Sequence, residues 1–176
     1  MAMRVRTHLG VSVDGFVSTA DGWPVMLSML GFAGRESYGL PELLAECGAA
    51  VMGRTTFEPA LGAPSWPWPG LEVFVLTSTP LPDEAPEGIA TESDPARLLE
   101  RMQEADFEGD VHLVGGPQTV RAFHDIDALD ELGIVVLPLV ASSGVPLSSS
   151  GIEMLRLELV SERSFPDGAV ELIYSL

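Results

Sequence analysis

An apolar strand that runs through two glycines straight into a helix is the tightest constraint in this chain. Residues Val111 to Phe123 read VHLVGGPQTVRAF. Val111–Val114 has the continuous apolar character of a strand buried on both faces. Gly115 and Gly116 follow, then Pro117, whose missing N–H costs nothing in the first turn of a helix. The helix runs over about Gln118–His124, with Thr119 in its first turn. Glycines without a Cβ let a ligand come close to the backbone, and the free N–H groups of a helix start attract anions. A second segment repeats the arrangement. Ala50–Glu58, AVMGRTTFE, is an apolar strand that delivers Gly53, Arg54, Thr55 and Thr56 at its end.

The same alternation runs along the chain. Arg4–Val13 has Val5, Thr7, Leu9, Val11 and Val13 at strand period and stops at the turn dipeptide Asp14-Gly15. Phe16–Gly34 reads as a long loop with a helical turn near Met26–Leu30, and it carries Trp23. Loops of that length in a compact domain tend to be functional. Glu36–Cys47 has Leu40, Leu43 and Leu44 at helical spacing and is closed by Gly48. The strand Ala49–Met52 precedes a short helix that starts at Thr55 or Thr56 and ends before Pro59. Gly62–Gly70, GAPSWPWPG, is too rich in Pro and Gly for regular structure. The strand Glu72–Leu76 ends in Thr77 and Ser78. Asp94-Pro95 opens a helix with an N-cap and a first-turn Pro. Gly133–Val140 is a β-branched central strand, and Met154–Ser164 with Ala169–Leu176 form a hairpin around Pro166-Asp167-Gly168. Strands alternating with helices predict an α/β fold: a mostly parallel sheet covered on both faces, with an antiparallel hairpin at its C-terminal edge. We read residues 1–176 as one domain.

Composition narrows the function. The formal net charge is −17, with 26 acidic against nine basic residues, and every basic residue is Arg. That charge disfavours nucleic acid and anionic membrane as partners. The lack of Lys excludes Schiff-base and P-loop chemistry. One Cys, Cys47, and three scattered histidines offer no zinc spacing, so no metal is expected. The lone Cys, the absence of an apolar run of about 20 residues, and an N-terminus without a signal-peptide core point to a cytoplasmic protein.

In open α/β sheets ligands bind outside the carboxyl ends of the parallel strands. Asp14-Gly15, Gly53-Arg54-Thr55-Thr56, Leu76-Thr77-Ser78 and Val114-Gly115-Gly116 all fall at such ends. Backbone donors at the glycines suit a diphosphate, and the planar, permanently charged Arg54 suits a further phosphate. Each element also has a plain structural reading: tight strand–helix packing for the glycines, a surface charge for Arg54, a cap boxed with Glu58 for Thr55, a strand end for Thr77 and Ser78. Their common placement at one rim favours a dinucleotide carrying an extra phosphate.

These motifs resemble the dihydrofolate reductase-like superfamily, in particular stand-alone homologues of the riboflavin-pathway reductase domain. The resemblance is carried by Ser12–Phe16, Val51–Glu58, Val75–Ser78 and Leu113–Pro117 in that order, and by LGIVVLPLVASSGVPL near the C-terminus. It implies an NADPH-dependent reductase that transfers a hydride to a C=N or C=O bond of a small planar heterocycle. It also implies a homodimer, which the apolar late strands could join. By the same resemblance Arg54 grips the 2′-phosphate with Thr77 and Ser78, and Thr56 with the turn Gly115–Thr119 (Pro117, Gln118 and Thr119 included) holds the diphosphate. Val13, Gly15 and Phe16 then face nicotinamide and substrate, and the Gly115–Gly116 peptide is expected to be cis. Trp23 in the long loop has two open readings, stacking on a planar substrate ring or plugging the core. Glu42 or Glu46, on the helix before the Gly-Arg strand, stands for the pteridine-binding carboxylate of true dihydrofolate reductases, with a plain solvent-facing charge as the rival reading. Two positions depart from the riboflavin-pathway pattern: Phe16 replaces a basic residue and Val114 replaces a Glu. Both departures argue against the sugar-phosphate substrate of that pathway. Asp14 is the best candidate for a catalytic polar group near the reacting end, with plain turn chemistry as its rival role. A non-catalytic nucleotide-binding or dimeric member of the fold is the alternative reading.

Overall fold

In the computed structural model the described residues are 3–33, 37–148 and 154–176. Gly34 and Glu36, the ends of the expected loop and helix, lie outside them. Ten strands, four α-helices and a 3-10 turn are formed among the described residues. The strands are β1 Val5–Ser12, β2 Phe16–Ser18, β3 Cys47–Gly53, β4 Glu72–Leu76, β5 Ala90–Glu92, β6 Asp110–Gly115, β7 Glu131–Leu137, β8 Val145–Pro146, β9 Glu158–Ser164 and β10 Val170–Ser175. The helices are α1 Leu40–Glu46, α2 Arg54–Ala60, α3 Pro95–Glu104 and α4 Pro117–His124, and the 3-10 turn is Val25–Ser28.

Eight strands make one sheet in the order β5-β4-β3-β6-β1-β7-β10-β9. The first six run parallel, and β10 and β9 are antiparallel to their neighbours. β2 and β8 pair as a small separate ladder at the start of the long loop. The expected architecture is therefore present, with the short strands β2, β5 and β8 added. α2 begins at Arg54 and carries Pro59 inside it, so the helix does not stop before the proline.

The two faces of the sheet are filled differently. Val5, Val51, Phe74, Val111 and Leu113 pack under α3 and α4, with Leu98, Met102 and Phe123. On the other face Ala50, Met52 and Val75 pack with Phe57 of α2 and with Trp68. Farther along that face Val135 and Leu137 meet Val25 and Tyr38. β3 has helices on both sides, which is why Ala49, Ala50, Val51 and Met52 are all fully buried and read as one apolar run. α3 starts where Asp94 accepts from the N–H groups of Ala96 (2.8 Å) and Arg97 (3.2 Å). The hairpin turns at Gly168, whose φ of +91° only glycine adopts easily.

At the amino ends of the central strands the buried polar groups are ionic. Arg6 Nε donates to Glu131 (2.8 Å), and its Nη1 donates to Asp110 (3.1 Å) and to Glu46. Arg4 Nη2 donates to the same Asp110 at 2.6 Å. A second chain of charges crosses from α1 to the hairpin. Arg163 joins Glu42 (2.9 Å) to Glu171 (3.0 Å), and Glu171 meets buried His8 Nε2 at 2.9 Å. Burial pushes the carboxyls of Asp110 and Glu171 up, but the arginines beside Asp110, and His8 with Arg163 beside Glu171, outweigh it and hold both below the ordinary range. A carboxyl held low when folded contributes stability above its unfolded pKa of about 4, and that contribution fades as pH falls through the folded value. We expect a melting temperature that is level between pH 8 and about pH 5 and falls below about pH 4. Asp110→Asn should flatten that acid limb in a calorimetric pH series. An unchanged slope would mean that Asp110 is not the group being protonated.

Candidate cofactor site at the strand tips

The carboxyl ends of β4, β3 and β6 lie side by side. Gly53 pairs with Leu76 across one ladder, and Met52 pairs with Gly115 across the other. Arg54 and Gly116 thus leave neighbouring strands at the same rim. Close packing fixes the geometry between them, because a Cβ on Gly53 would stand 2.7 Å from Thr119 Oγ1 at the start of α4. On the other side of β6, the Cβ position of Gly115 lies 3.2 Å from Leu9 of β1. Gly115 has φ +132°, a value that favours glycine, and the Gly115–Gly116 peptide is cis as expected.

Gly116 is different. A Cβ there would meet nothing within 4 Å, so the space in front of the first turn of α4 is open. Pro117 opens that turn, Gln118 is exposed, and Thr119 is buried with its N–H bonded to the Gly116 carbonyl at 3.0 Å. Val114, half-buried, packs on the α2 side.

Arg54 folds across the rim onto the loop after β4. Its Nη1 donates to the carbonyls of Thr79 (3.2 Å) and Pro80 (2.6 Å) and to the Thr79 hydroxyl, while Nη2 pairs with Glu58 at 2.6 Å. Thr77 Oγ1 donates to the Thr79 carbonyl at 3.1 Å, and Ser78 is exposed beside it. Arg54 and the Thr77-Ser78-Thr79 loop therefore form one cationic, hydroxyl-bearing corner. Thr79 is the member that the sequence reading missed; the only signal was a third hydroxyl in the run TST. Thr55 is exposed and caps nothing, since α2 has no side-chain cap and Glu58 is taken by Arg54. Thr56 is half-buried next to it.

At the end of β1 the carboxylate of Asp14 accepts from Ser12 Oγ (2.6 Å) and from the N–H groups of Ala141 (2.9 Å) and Ser142 (2.7 Å). These bonds hold its pKa down to about 2. An ionised carboxylate has no proton to give near neutrality, so the visible work of Asp14 is to tie the β1 turn to the loop after β7. Val13 is exposed, Gly15 turns with φ +92°, and the Phe16 N–H donates to Ser12 Oγ at 3.0 Å. The Trp23 indole is exposed rather than a core plug. Glu42 is not brought to this rim. It is an exposed residue paired with Arg163 at the mouth of a cavity of about 120 Å³ that also includes His8 and Glu171. Between the two regions Met26 lies on Gly10 of β1, its Cε 2.6 Å from where a Cβ would stand. Among the described residues no cluster of side chains could hold a metal ion, and no helix is long and apolar enough to cross a membrane.

The group that the resemblance implies, a nicotinamide dinucleotide phosphate, can be tested against these residues. The open space at Gly116 leaves backbone free for a diphosphate, and the Arg54 corner, on the tips of the next two strands β3 and β4, is set to one side for a separate phosphate. The residues fit.

No family model matches the chain. It is similar to the uncharacterised protein YwjB of Bacillus subtilis, 26% identical over 99% of this chain and 98% of that protein. Three solved structures share its course over 98% of its length. A putative riboflavin biosynthesis protein from Shewanella sp. PV-4 superposes with TM-score 0.79, 22% identity and 98% of its own chain covered. A diaminohydroxyphosphoribosylaminopyrimidine deaminase/5-amino-6-(5-phosphoribosylamino)uracil reductase from Thermotoga maritima gives 0.69 at 13% identity, with 56% of that longer chain covered. A pyrimidine reductase-like protein from Corynebacterium diphtheriae gives 0.67 at 16% identity, with 91% covered. The protein thus has the dihydrofolate reductase-like fold of the riboflavin-pathway reductase domain.

Proposed function

We propose that the protein is an NADPH-dependent reductase of a small planar heterocycle or a related C=N or C=O substrate. The observation that carries this reading is the adjacency of Arg54 and Gly116 on neighbouring strand tips. Gly115–Thr119 and Thr56 would hold the diphosphate, and Arg54 with Thr77, Ser78 and Thr79 would hold the 2′-phosphate. When bound, the reduced nicotinamide supplies the hydride. The chain's own task is to orient the acceptor carbon at about 3–3.5 Å and keep water out. Asp14 contributes by fixing the β1 turn rather than by giving a proton. The proton for a reduced imine would then come from an ordered water or from the substrate.

Calorimetric titration tests the reading directly. NADPH should bind at micromolar concentration and NADH at least tenfold more weakly. Binding of neither at millimolar concentration would refute it. Gly116→Ala separates cradle from scaffold: with open space at that position and φ −92°, the variant should melt like the parent. Its methyl group would occupy the diphosphate's place, so NADPH and NADH should both weaken about tenfold or more, a loss of about 1.4 kcal/mol. Full retention of binding would move the diphosphate elsewhere. Asp14, held ionised at the end of β1, supplies no proton near neutrality and favours a second reading, a nucleotide-binding or dimeric member of the fold without turnover. NADPH oxidation by any of a panel of pterins and pyrimidines would exclude it.

A further inference from the structure

The carboxyl ends of β1 and β7 carry an exposed apolar surface next to the candidate cofactor rim. β1 neighbours β6, whose tip is Gly115. Hydrogen bonds stitch the surrounding loops together. The Val13 N–H donates to the Leu139 carbonyl (2.8 Å), and the Leu147 N–H donates to the Gly15 carbonyl (2.9 Å). Ser18 pairs with Val145 across the β2–β8 ladder and bridges to Pro24. The Thr19 N–H donates to the Trp23 carbonyl at 2.8 Å. Within these segments Val13, Trp23 and Val140 keep 64%, 64% and 70% of their area in solvent, and Leu27 and Val145 are exposed too. Large apolar side chains left open beside a cofactor site mark a place for a ligand.

The charge of this surface is one-sided. Residues 12–33 and 138–148 contain no Lys, Arg or His, and their only ionisable side chains are Asp14 and Asp21. Cations on neighbouring elements are engaged elsewhere. Arg54 lies at its own corner beyond β6, Arg163 is held between Glu42 and Glu171, and His8 is buried on Glu171. Nor is there an acid to give a proton. Ser12 donates its hydroxyl to Asp14 (2.6 Å), which stays ionised. Tyr38 is buried and donates to Asp167; burial first, and then that bond, push its pKa up to about 12. A neutral C=N or C=O that accepts a hydride gathers negative charge on its heteroatom and needs a proton or a cation there. A substrate that is already positive needs neither.

We infer that the substrate is an iminium ion, a C=N⁺ cation with an apolar body that rests on Val13, Val140 and Trp23. The inference rests on the reductase reading and names the substrate class for it. The exposed Trp23 indole offers a π face to the cation. The net charge of −17 draws such a molecule in and repels phosphate esters and carboxylates. The electrons balance without help from the protein. The hydride pair from the reduced nicotinamide forms the new C–H bond, and the C=N pair retreats onto nitrogen as a lone pair. The nicotinamide is oxidised, the iminium becomes a neutral amine, and no proton enters. The product has lost the charge that held it, which favours its release.

Calorimetry on the whole chain with the permanent cation 2-methyl-3,4-dihydroisoquinolinium tests this. It should bind with a dissociation constant below about 1 mM in 20 mM NaCl, and about threefold or more weakly in 500 mM NaCl. Two comparison compounds should each bind about tenfold or more weakly: 1-tetralone, a neutral bicycle of the same size, and 7,8-dihydrofolate, whose C=N ring carries an anionic tail. Trp23→Ala and Val140→Lys, both at exposed positions, should each weaken the cation about tenfold. With NADPH added, the iminium should be reduced one for one, at a rate that changes less than about twofold between pH 6.5 and 8.5. No binding at 10 mM, the result if a second copy or another protein covers this surface, overturns the proposal. So does tighter binding of dihydrofolate, or a rate that drops with each added pH unit. NADPH that binds while the iminium is left unreduced overturns this proposal and leaves the reductase reading standing. NADPH that does not bind removes that reading, and this one with it.

Discussion

Arg54→Ala is expected to weaken NADPH by about ten- to a hundredfold and to leave NADH nearly unchanged. Removing charge-assisted hydrogen bonds worth roughly 1.5–3 kcal/mol gives that range. The structure adds a condition to this estimate. Arg54 already donates to Thr79 and Pro80 and pairs with Glu58, which is 41% exposed. A phosphate competes with a solvent-screened pair that is worth at most about 1 kcal/mol, so the pair does not hold the guanidinium back. The contacts to Thr79 and Pro80 keep the fork at the rim in the free protein, which lowers the ordering cost of binding. Calorimetry with both nucleotides reads the result. Equal losses for NADPH and NADH would show that Arg54 only holds the loop after β4.

The second large effect concerns stability. Arg6→Ala should cost about 3–5 kcal/mol, because it strips the shared cation from two buried carboxylates. The side chains involved are little exposed: 13% for Arg6, 12% for Glu131 and 9% for Asp110. Arg4 still reaches Asp110, but among the described residues Glu131 has no other ion pair. In a chain of this size the melting temperature should drop by roughly 6–20 °C. Replacing Arg6 and Glu131 together by Met should recover most of the loss, since the penalty comes from charge left without its partner. A small effect of Arg6→Ala alone would mean that water enters the network and solvates it.

The order of strands and helices was legible because apolar period and turn dipeptides are local signals. The glycines of the rim were legible for the same reason: Gly53, Gly115 and Gly116 each sit next to an apolar run. What the sequence hid was pairing at long range. His8 meets Glu171 across 163 positions, and Arg6 meets Glu131 across 125. Neither pair leaves a periodic trace. Glu42 sits on the helix where a substrate carboxylate was expected, yet Arg163 claims it from the far hairpin. Thr79 was missed because an exposed hydroxyl in a loop has no pattern to distinguish it. Pro59 was expected to stop α2; in a helix of only seven residues it sits in the last turn, before Ala60.

The position of β1 has a consequence for synthesis. Its two ladder neighbours are β6 and β7, so Val5–Ser12 finds no edge to join until Gly115 has left the ribosome, and it is not paired on both sides until Leu137 has followed. At about 5–20 residues per second the wait for that first edge is roughly 5 to 20 s. For that interval the nascent chain presents a bare, apolar ribbon near its beginning. Whatever binds unpaired β-structure during translation should therefore engage this polypeptide early and let go late.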